Sequence, residues 1–110
     1  MSFDVFEKEM NRGFIQLLVL LVLETPLYGY MIIRKIGDLG YQVEENTLYP
    51  LLRRLETKNI LKSNWEIEEN KPRKYYVITP LGRKLRTKLK EIREIQDAVI
   101  KKITGGSDDV

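Results

Sequence analysis

Residues 46–78, NTLYPLLRRLETKNILKSNWEIEENKPRKYYVI, change hydrophobic period once, and that change decides the architecture. Leu48, Leu51, Leu52 and Leu55 recur at i, i+3, i+4 and i+7, which predicts a helix with a single buried face. It begins between Glu44 and Asn46 and ends near Lys58, where Asn59 can take the left-handed conformation that closes a helix. The period then drops to two. Leu61, Trp65 and Ile67 alternate with Lys62, Asn64, Glu66 and Glu68, which reads as a strand over Leu61–Glu68. Tyr75-Tyr76-Val77-Ile78 is β-branched and aromatic and supplies a second strand, with Glu69-Asn70-Lys71-Pro72 as the turn between them. Trp65, Tyr75 and Tyr76 are expected in the core of this hairpin.

Upstream, Gly29, Ile32, Ile33 and Ile36 form one stripe of a helix from about Tyr28 to Leu39, stopped by Gly40. This helix and the next are separated only by Gly40–Glu45, the spacing of a helix-turn-helix. Before them a first helix runs from about Phe6 to Glu24, apolar on nearly every face from Phe14 to Leu23, and is ended by Thr25-Pro26. Downstream, Thr79-Pro80 pairs an N-cap with a proline at the first helical position. The last helix reaches about Ile103 and stops at Gly105-Gly106. Leu81, Leu85, Leu89, Ile92, Ile95, Val99 and Ile103 make a narrow apolar stripe along it among charges. The expected fold class is mainly α with a small β-hairpin, a winged helix-turn-helix plus a long C-terminal helix. Residues 1–78 form the winged part, 79–104 the last helix and 105–110 a disordered tail.

With 110 residues, 43% of them hydrophobic and 32% charged, the composition is that of one globular domain. A chain this short buries only roughly 60–70% of its unfolded surface, so a long amphipathic terminal helix calls for a second copy of the chain. The chain has no cysteine and no histidine, which removes disulfides, thiolate metal sites, the usual general base and the commonest zinc ligand. No phosphate-binding glycine loop is present. An enzyme is not expected, nor is a metal or cofactor. The longest apolar run, Leu17–Leu23, falls short of the ~20 residues of a membrane span, and Asp4, Glu7 and Glu9 stand where a signal peptide would be basic. A cytoplasmic protein without membrane contact is expected.

The net charge of +3 is a weak indication of a polyanionic partner, but its distribution is not even: Arg53, Arg54, Lys58, Lys62, Lys71, Arg73 and Lys74 follow one another from the third helix onward. In a winged helix the third helix enters the major groove of double-stranded DNA. Opposite its leucine stripe lie Asn46, Pro50, Arg53 and Thr57, with Thr47, Tyr49 and Arg54 at the sides. Asn and Arg can bond adenine and guanine edges bidentately, and Thr and Tyr hydroxyls suit phosphates. Lys71-Pro72-Arg73-Lys74 is expected at the wing tip, crossing the backbone or entering a minor groove. The candidate DNA contacts are therefore Asn46, Thr47, Tyr49, Pro50, Arg53, Lys71, Arg73 and Lys74. The plainer alternatives are a solvated helix face for Arg53 and Arg54, packing for Tyr49, a cap for Asn46 and edge protection for the basic wing. With them stands an alternative function, a winged-helix protein–protein interaction module without sequence-specific DNA binding.

Three segments carry a resemblance: Leu27-Tyr28-Gly29-Tyr30, then Asn46-Thr47-Leu48-Tyr49-Pro50-Leu51-Leu52-Arg53-Arg54-Leu55-Glu56, then Pro72-Arg73-Lys74-Tyr75-Tyr76-Val77-Ile78-Thr79 with Gly82. Over about Gly13 to Leu85 the chain resembles the PadR family of transcriptional regulators, in its smaller subfamily with a single C-terminal helix. The resemblance implies a homodimer that represses from an inverted-repeat operator, released in some members by a small-molecule effector. It also implies that the first and last helices pack on their counterparts. Phe14, Leu17, Leu18 and Leu21, with Leu85, Leu89, Ile92, Ile95, Val99 and Ile103, are the candidate dimer contacts. The chain departs from the family pattern at Asn46 and Asn59, both usual glycines. Residues 90–94 lack the aromatic that lines a flat drug pore in the multidrug-binding branch, so drug stacking is not expected.

Overall fold

Val19, Leu20, Ile32, Leu48 and Leu52 are wholly enclosed, and the elements that carry them meet in one core. A computed structural model of the chain describes residues 2–105. The helices are α1 (Asp4–Val22), α2 (Gly29–Asp38), α3 (Glu45–Thr57) and α4 (Pro80–Thr104); the strands are β1 (Leu27–Tyr28), β2 (Leu61–Glu68) and β3 (Lys71–Ile78). The expected disordered tail at 105–110 lies outside the described residues, except for Gly105. That residue closes α4 at φ 90°, its N–H donating to the Lys101 carbonyl.

The stripes behave as periodicity predicts. Ile32 and Ile36 of α2 and Leu48, Leu52 and Leu55 of α3 are buried together with Leu20 and Leu23 from the first helical segment. Gly40 at φ 99° and Asn59 at φ 62° end α2 and α3 in the left-handed region. No helix among the described residues is long and apolar enough to cross a membrane.

The sheet differs from expectation in two respects. It has three antiparallel strands in the order β1-β3-β2, because Leu27 and Tyr28 pair with Tyr76 and Tyr75. A two-residue strand is too short to show a period, so the sequence does not announce it. The second difference concerns the wing. β3 begins at Lys71 rather than Tyr75, and the turn is reduced to Glu69 (φ 51°) and Asn70 (φ 64°). Two consecutive positive φ values are the geometry of a two-residue hairpin turn of type I′. Glu68↔Lys71 is then the hydrogen-bonded pair that flanks the turn, so Ile67↔Pro72 is a non-hydrogen-bonded one. At Pro72 β1 no longer flanks β3, and the missing N–H would have pointed into open space. Proline is thus accommodated inside the strand.

Thr79 joins the wing to α4. Its hydroxyl accepts from the Gly82 N–H at 2.9 Å and donates to the Asn59 carbonyl at 2.7 Å, and its own N–H donates to the Ile60 carbonyl at 3.1 Å. The cap therefore also pins α4 to the end of α3. From there α4 runs back along α1. Leu85 and Leu89 are half-buried against the core, Arg86 pairs with Glu24, and the Arg93 guanidinium lies 4.7 Å from the Phe14 ring centre.

Beyond Leu89 the apolar stripe of α4 leaves the core. Leu17 is buried within the chain and Phe14 and Leu18 are half-buried, but Leu21, Ile92, Ile95, Val99 and Ile103 are exposed, Ile103 to 79%. A groove of about 690 Å³ opens between the two helices, with Met10, Phe14, Leu17, Leu89, Ile92 and Val99 among its walls.

Candidate nucleic-acid interface

The first turn of α3 decides what this helix presents. Glu44 is extended (φ −94°, ψ 154°) and makes no side-chain cap; its carbonyl accepts from Thr47 N–H at 3.0 Å and Leu48 N–H at 2.9 Å. The helix therefore starts at Glu45, and Asn46 is a residue of its first turn rather than its cap. α3 passes through Pro50 unbroken, which deprives the Asn46 carbonyl of its usual i+4 donor. Asn46, Thr47, Pro50, Arg53 and Thr57 are all exposed, as the helical step from the leucine stripe requires. Arg53 has no ion-pair partner among the described residues, whereas Arg54 donates to Gln16 Oε1 at 2.6 Å and so ties α3 to α1.

Tyr49 has a packing role. Its ring lies against Gly29, where an added Cβ would stand 2.6 Å from the Tyr49 hydroxyl oxygen and 2.7 Å from Cζ. Burial, seconded by the charge of Glu45, raises the pKa of its hydroxyl. This contact explains the glycine of Leu27-Tyr28-Gly29-Tyr30: α2 and α3 approach one another across it. No local pattern in the sequence reveals that pairing.

Because β3 extends to Lys71, the four residues expected at the wing tip lie along a strand and alternate between its faces. The tip itself is Glu69-Asn70. Lys71, Arg73 and Tyr75 share the outer face with Glu68, Glu66 and Asn64 of β2. There Arg73 sits 4.4 Å from the Tyr28 ring centre and 3.7 Å from Glu68, while the Tyr75 hydroxyl donates to Glu68 at 2.7 Å. That bond to Glu68 is the main reason the Tyr75 pKa is pushed up to about 12.

Pro72, Lys74 and Tyr76 share the inner face with Ile67, Trp65 and Ser63. Lys74 reaches Glu56 of α3 at 3.4 Å, and the Ser63 hydroxyl donates to the same carboxylate. Tyr76 is buried as expected and Tyr75 is half-buried, but Trp65 (67% exposed) and Ile67 (78%) are not hairpin core. The strands outrun the helices beneath them, and beyond Ser63 the described residues leave Trp65 and Ile67 of the inner face uncovered. Of the three cations of β3, only Lys71 has neither an ion-pair partner nor an aromatic ring against it among the described residues.

Glu56 therefore joins the end of α3 to both strands of the wing. The Ser63 hydrogen bond, and after it Lys74, hold its carboxyl below the usual carboxylate pKa. A group whose folded pKa is depressed adds stability above its unfolded pKa and loses it as pH falls through the folded value. Glu56→Gln is expected to lower the melting temperature slightly at neutral pH, since a half-exposed pair contributes at most about 1 kcal/mol. The difference from wild type should close on acidification below the ordinary carboxylate range. Thermal denaturation of both chains across pH checks this; a difference that stays constant into acid would show that the carboxylate charge plays no part.

Comparison with known proteins agrees with this architecture. Residues 17–88 match the Transcriptional regulator PadR-like family. The chain is 29% identical over 100 residues to transcriptional regulator Rv3488 of Mycobacterium tuberculosis, covering 90% of this chain and 91% of that protein. It is 34% identical over 97 residues to Uncharacterized protein X of Lysinibacillus sphaericus, covering 83% and 89%. The crystal structure of a PadR family transcriptional regulator from Eggerthella lenta superposes with a TM-score of 0.84 at 35% identity, over 94% of this chain and 93% of that one. With the helix-turn-helix, the wing and these matches together, the chain belongs to the PadR-like family of transcriptional regulators, winged-helix DNA-binding proteins and not enzymes.

Proposed function

We propose that the chain is a homodimeric, cytoplasmic repressor that binds an inverted-repeat operator, reading bases from α3 and phosphates from α3 and the wing. One observation carries this reading: the exposed stripe Asn46, Pro50, Arg53 and Thr57 borders a wing, on a protomer whose last helix keeps an uncovered apolar face. Arg53 is the residue for base specificity, being exposed and free of ion pairs among the described residues. Asn46 and Thr47, at the start of the helix, are the further base and phosphate contacts. Tyr49 supports them by packing, and Lys71 takes the phosphate role in the wing. Arg73 and Lys74 contact DNA only by exchanging the intrachain partners they now hold. Two protomers related by a twofold axis read two half-sites about one helical turn apart, roughly 34–36 Å.

Selection of binding sites from random DNA tests this directly, and a palindrome is the expected result. Affinity for the selected site should fall by roughly 10³–10⁵ between about 50 and 200 mM salt if 6–10 phosphates are contacted. Arg53→Ala is expected to cost about 1–3 kcal/mol on the selected site and to relax one base position. Lys71→Ala should weaken all DNA alike and reduce the salt slope by about one. If both variants bound the selected site as wild type does, this reading surface would be wrong. Equal affinity for random and selected DNA would instead favour a protein-docking module.

A further inference from the structure

Trp65, Ile67 and Pro72 form an exposed apolar patch on one face of the wing, in register across the hairpin as Trp65↔Lys74 and Ile67↔Pro72. Scattered exposed apolar residues need no explanation, but a contiguous group that includes the chain's single tryptophan does. The orientation of this face is set by Lys74: it stands directly opposite Trp65 and reaches Glu56, so the face turns toward α3. The carboxylates of the wing strands are segregated from it. Glu66 and Glu68 project from the other face, where they oppose Arg73 and Lys71. The face turned toward α3 thus carries no carboxylate from either strand, while its two polar members, Lys74 and Ser63, are both engaged by Glu56. A polyanion can approach this side of the wing without repulsion from the strands, and what it meets first is apolar.

We infer that the wing engages DNA through this apolar patch, with Trp65 and Ile67 laid against the deoxyribose walls of the minor groove beside the α3 contact. The inference rests on the DNA-binding reading and revises the means by which the wing contributes to it. Of the three cations of β3, Arg73 is taken up by Glu68 and Tyr28 and Lys74 by Glu56, which leaves Lys71 as that strand's free charge among the described residues. Apolar side chains set in a minor groove are an established means of gripping DNA without hydrogen-bond readout. Such a contact adds affinity but releases no counterion, so it is invisible in the salt slope.

Because Trp65 is the only tryptophan, its fluorescence reports the contact in the unmodified protein. A fluorescein-labelled duplex carrying the selected site gives binding by anisotropy, and tryptophan emission with acrylamide quenching is followed in parallel on unlabelled duplex. The expected result is a change in emission and loss of acrylamide access that track the anisotropy. Trp65→Ala should bind about tenfold more weakly with an unchanged salt slope, and Trp65→Phe should recover most of the loss. Anisotropy that rises while Trp65 stays open to acrylamide overturns the proposal and leaves DNA binding intact. Shielding that grows with protein concentration alone, with no further change on adding DNA, overturns it in favour of contact between copies. No anisotropy change on any duplex removes the DNA-binding reading and this proposal with it.

Discussion

A chain carrying Ile92→Asp and Val99→Asp is expected to sediment as a folded monomer and to lose about 10²–10⁴ in operator affinity. Both side chains stand outside the buried core, 38% and 46% exposed on the wall of the groove, so aspartate at either position leaves the core of the protomer intact. They lie seven residues apart, on the stripe that continues from the half-buried Leu85 and Leu89. α4 is 25 residues long, and beyond Leu89 it extends past the core with an apolar face left exposed among the described residues. An apolar stripe left exposed along several turns of a helix marks an interaction surface and argues for a covering partner. Groups from α1 line the groove on the same side, so a second copy can seat both helices at once. Two buried, unpaired carboxylates per protomer would each oppose that association strongly. Affinity falls because one protomer alone holds one half-site and forfeits the linked second contact. Analytical ultracentrifugation with circular dichroism checks the result. A truncation after Lys88 serves as the harsher arm, expected to give monomer or aggregate. If the double aspartate chain remained a dimer of undiminished stability, the interface would lie elsewhere.

Gly82→Ala is expected to destabilise the fold by about 2–3 kcal/mol, a cost typical of overpacking a filled site. In a chain of this size that lowers the melting temperature by roughly 10–20 °C. An alanine Cβ would fall well inside van der Waals contact of the Ile60 carbonyl oxygen and 2.7 Å from Ile78 Cγ1. The carbonyl cannot yield freely, because it also accepts from the Thr79 N–H at 3.1 Å and lies 3.0 Å from the Thr79 hydroxyl. Relief therefore requires loosening the cap of α4, the end of α3 or both. Gly37→Ala in α2 is the control, since Gly13 lines the groove that the second copy would fill. A Cβ added at Gly37 would meet nothing within 4 Å, so removing a helical glycine should be neutral or stabilising by up to about 1 kcal/mol. Thermal melts of the two variants decide the point; a Gly82→Ala chain that melts with wild type would show that the joint can open at no cost.

The two predictions also mark what can be read without a structure. The stripe Leu85–Ile103 is visible in the sequence because an amphipathic helix repeats its chemistry every turn. The need for Gly82 is visible only as a motif, since its reason is the carbonyl of Ile60, in a different part of the chain. Among candidate DNA contacts, Asn46, Pro50 and Arg53 follow from the helical step and are exposed as expected. Tyr49 is equally eligible on that wheel, and its packing against Gly29 depends on how α2 crosses α3. Arg73 and Lys74 read as free cations because charge is a local property, whereas their partners Tyr28 and Glu56 come from other elements. Alternation alone places Trp65 and Ile67 in a core, because it tells that a strand has two faces but not where the covering helices end.

By itself the sequence determined the order of the helices and the hairpin, the caps at Thr79 and Asn59, the buried stripes, the absence of histidine and cysteine chemistry, and the family. The structural ones among these depend on residue type at short spacing, where backbone geometry is nearly the same in every protein; the family rests on the resemblance of the three segments. Only the tertiary structure decided the third strand at Leu27–Tyr28, the tight Glu69-Asn70 turn, and the partition of the wing into a face of carboxylates and cations and an apolar one. Pairing and burial are set by segments far apart in the chain. A shift of one residue in the turn moves every following side chain to the opposite face, so the chemistry the wing offers DNA is fixed only when the register is.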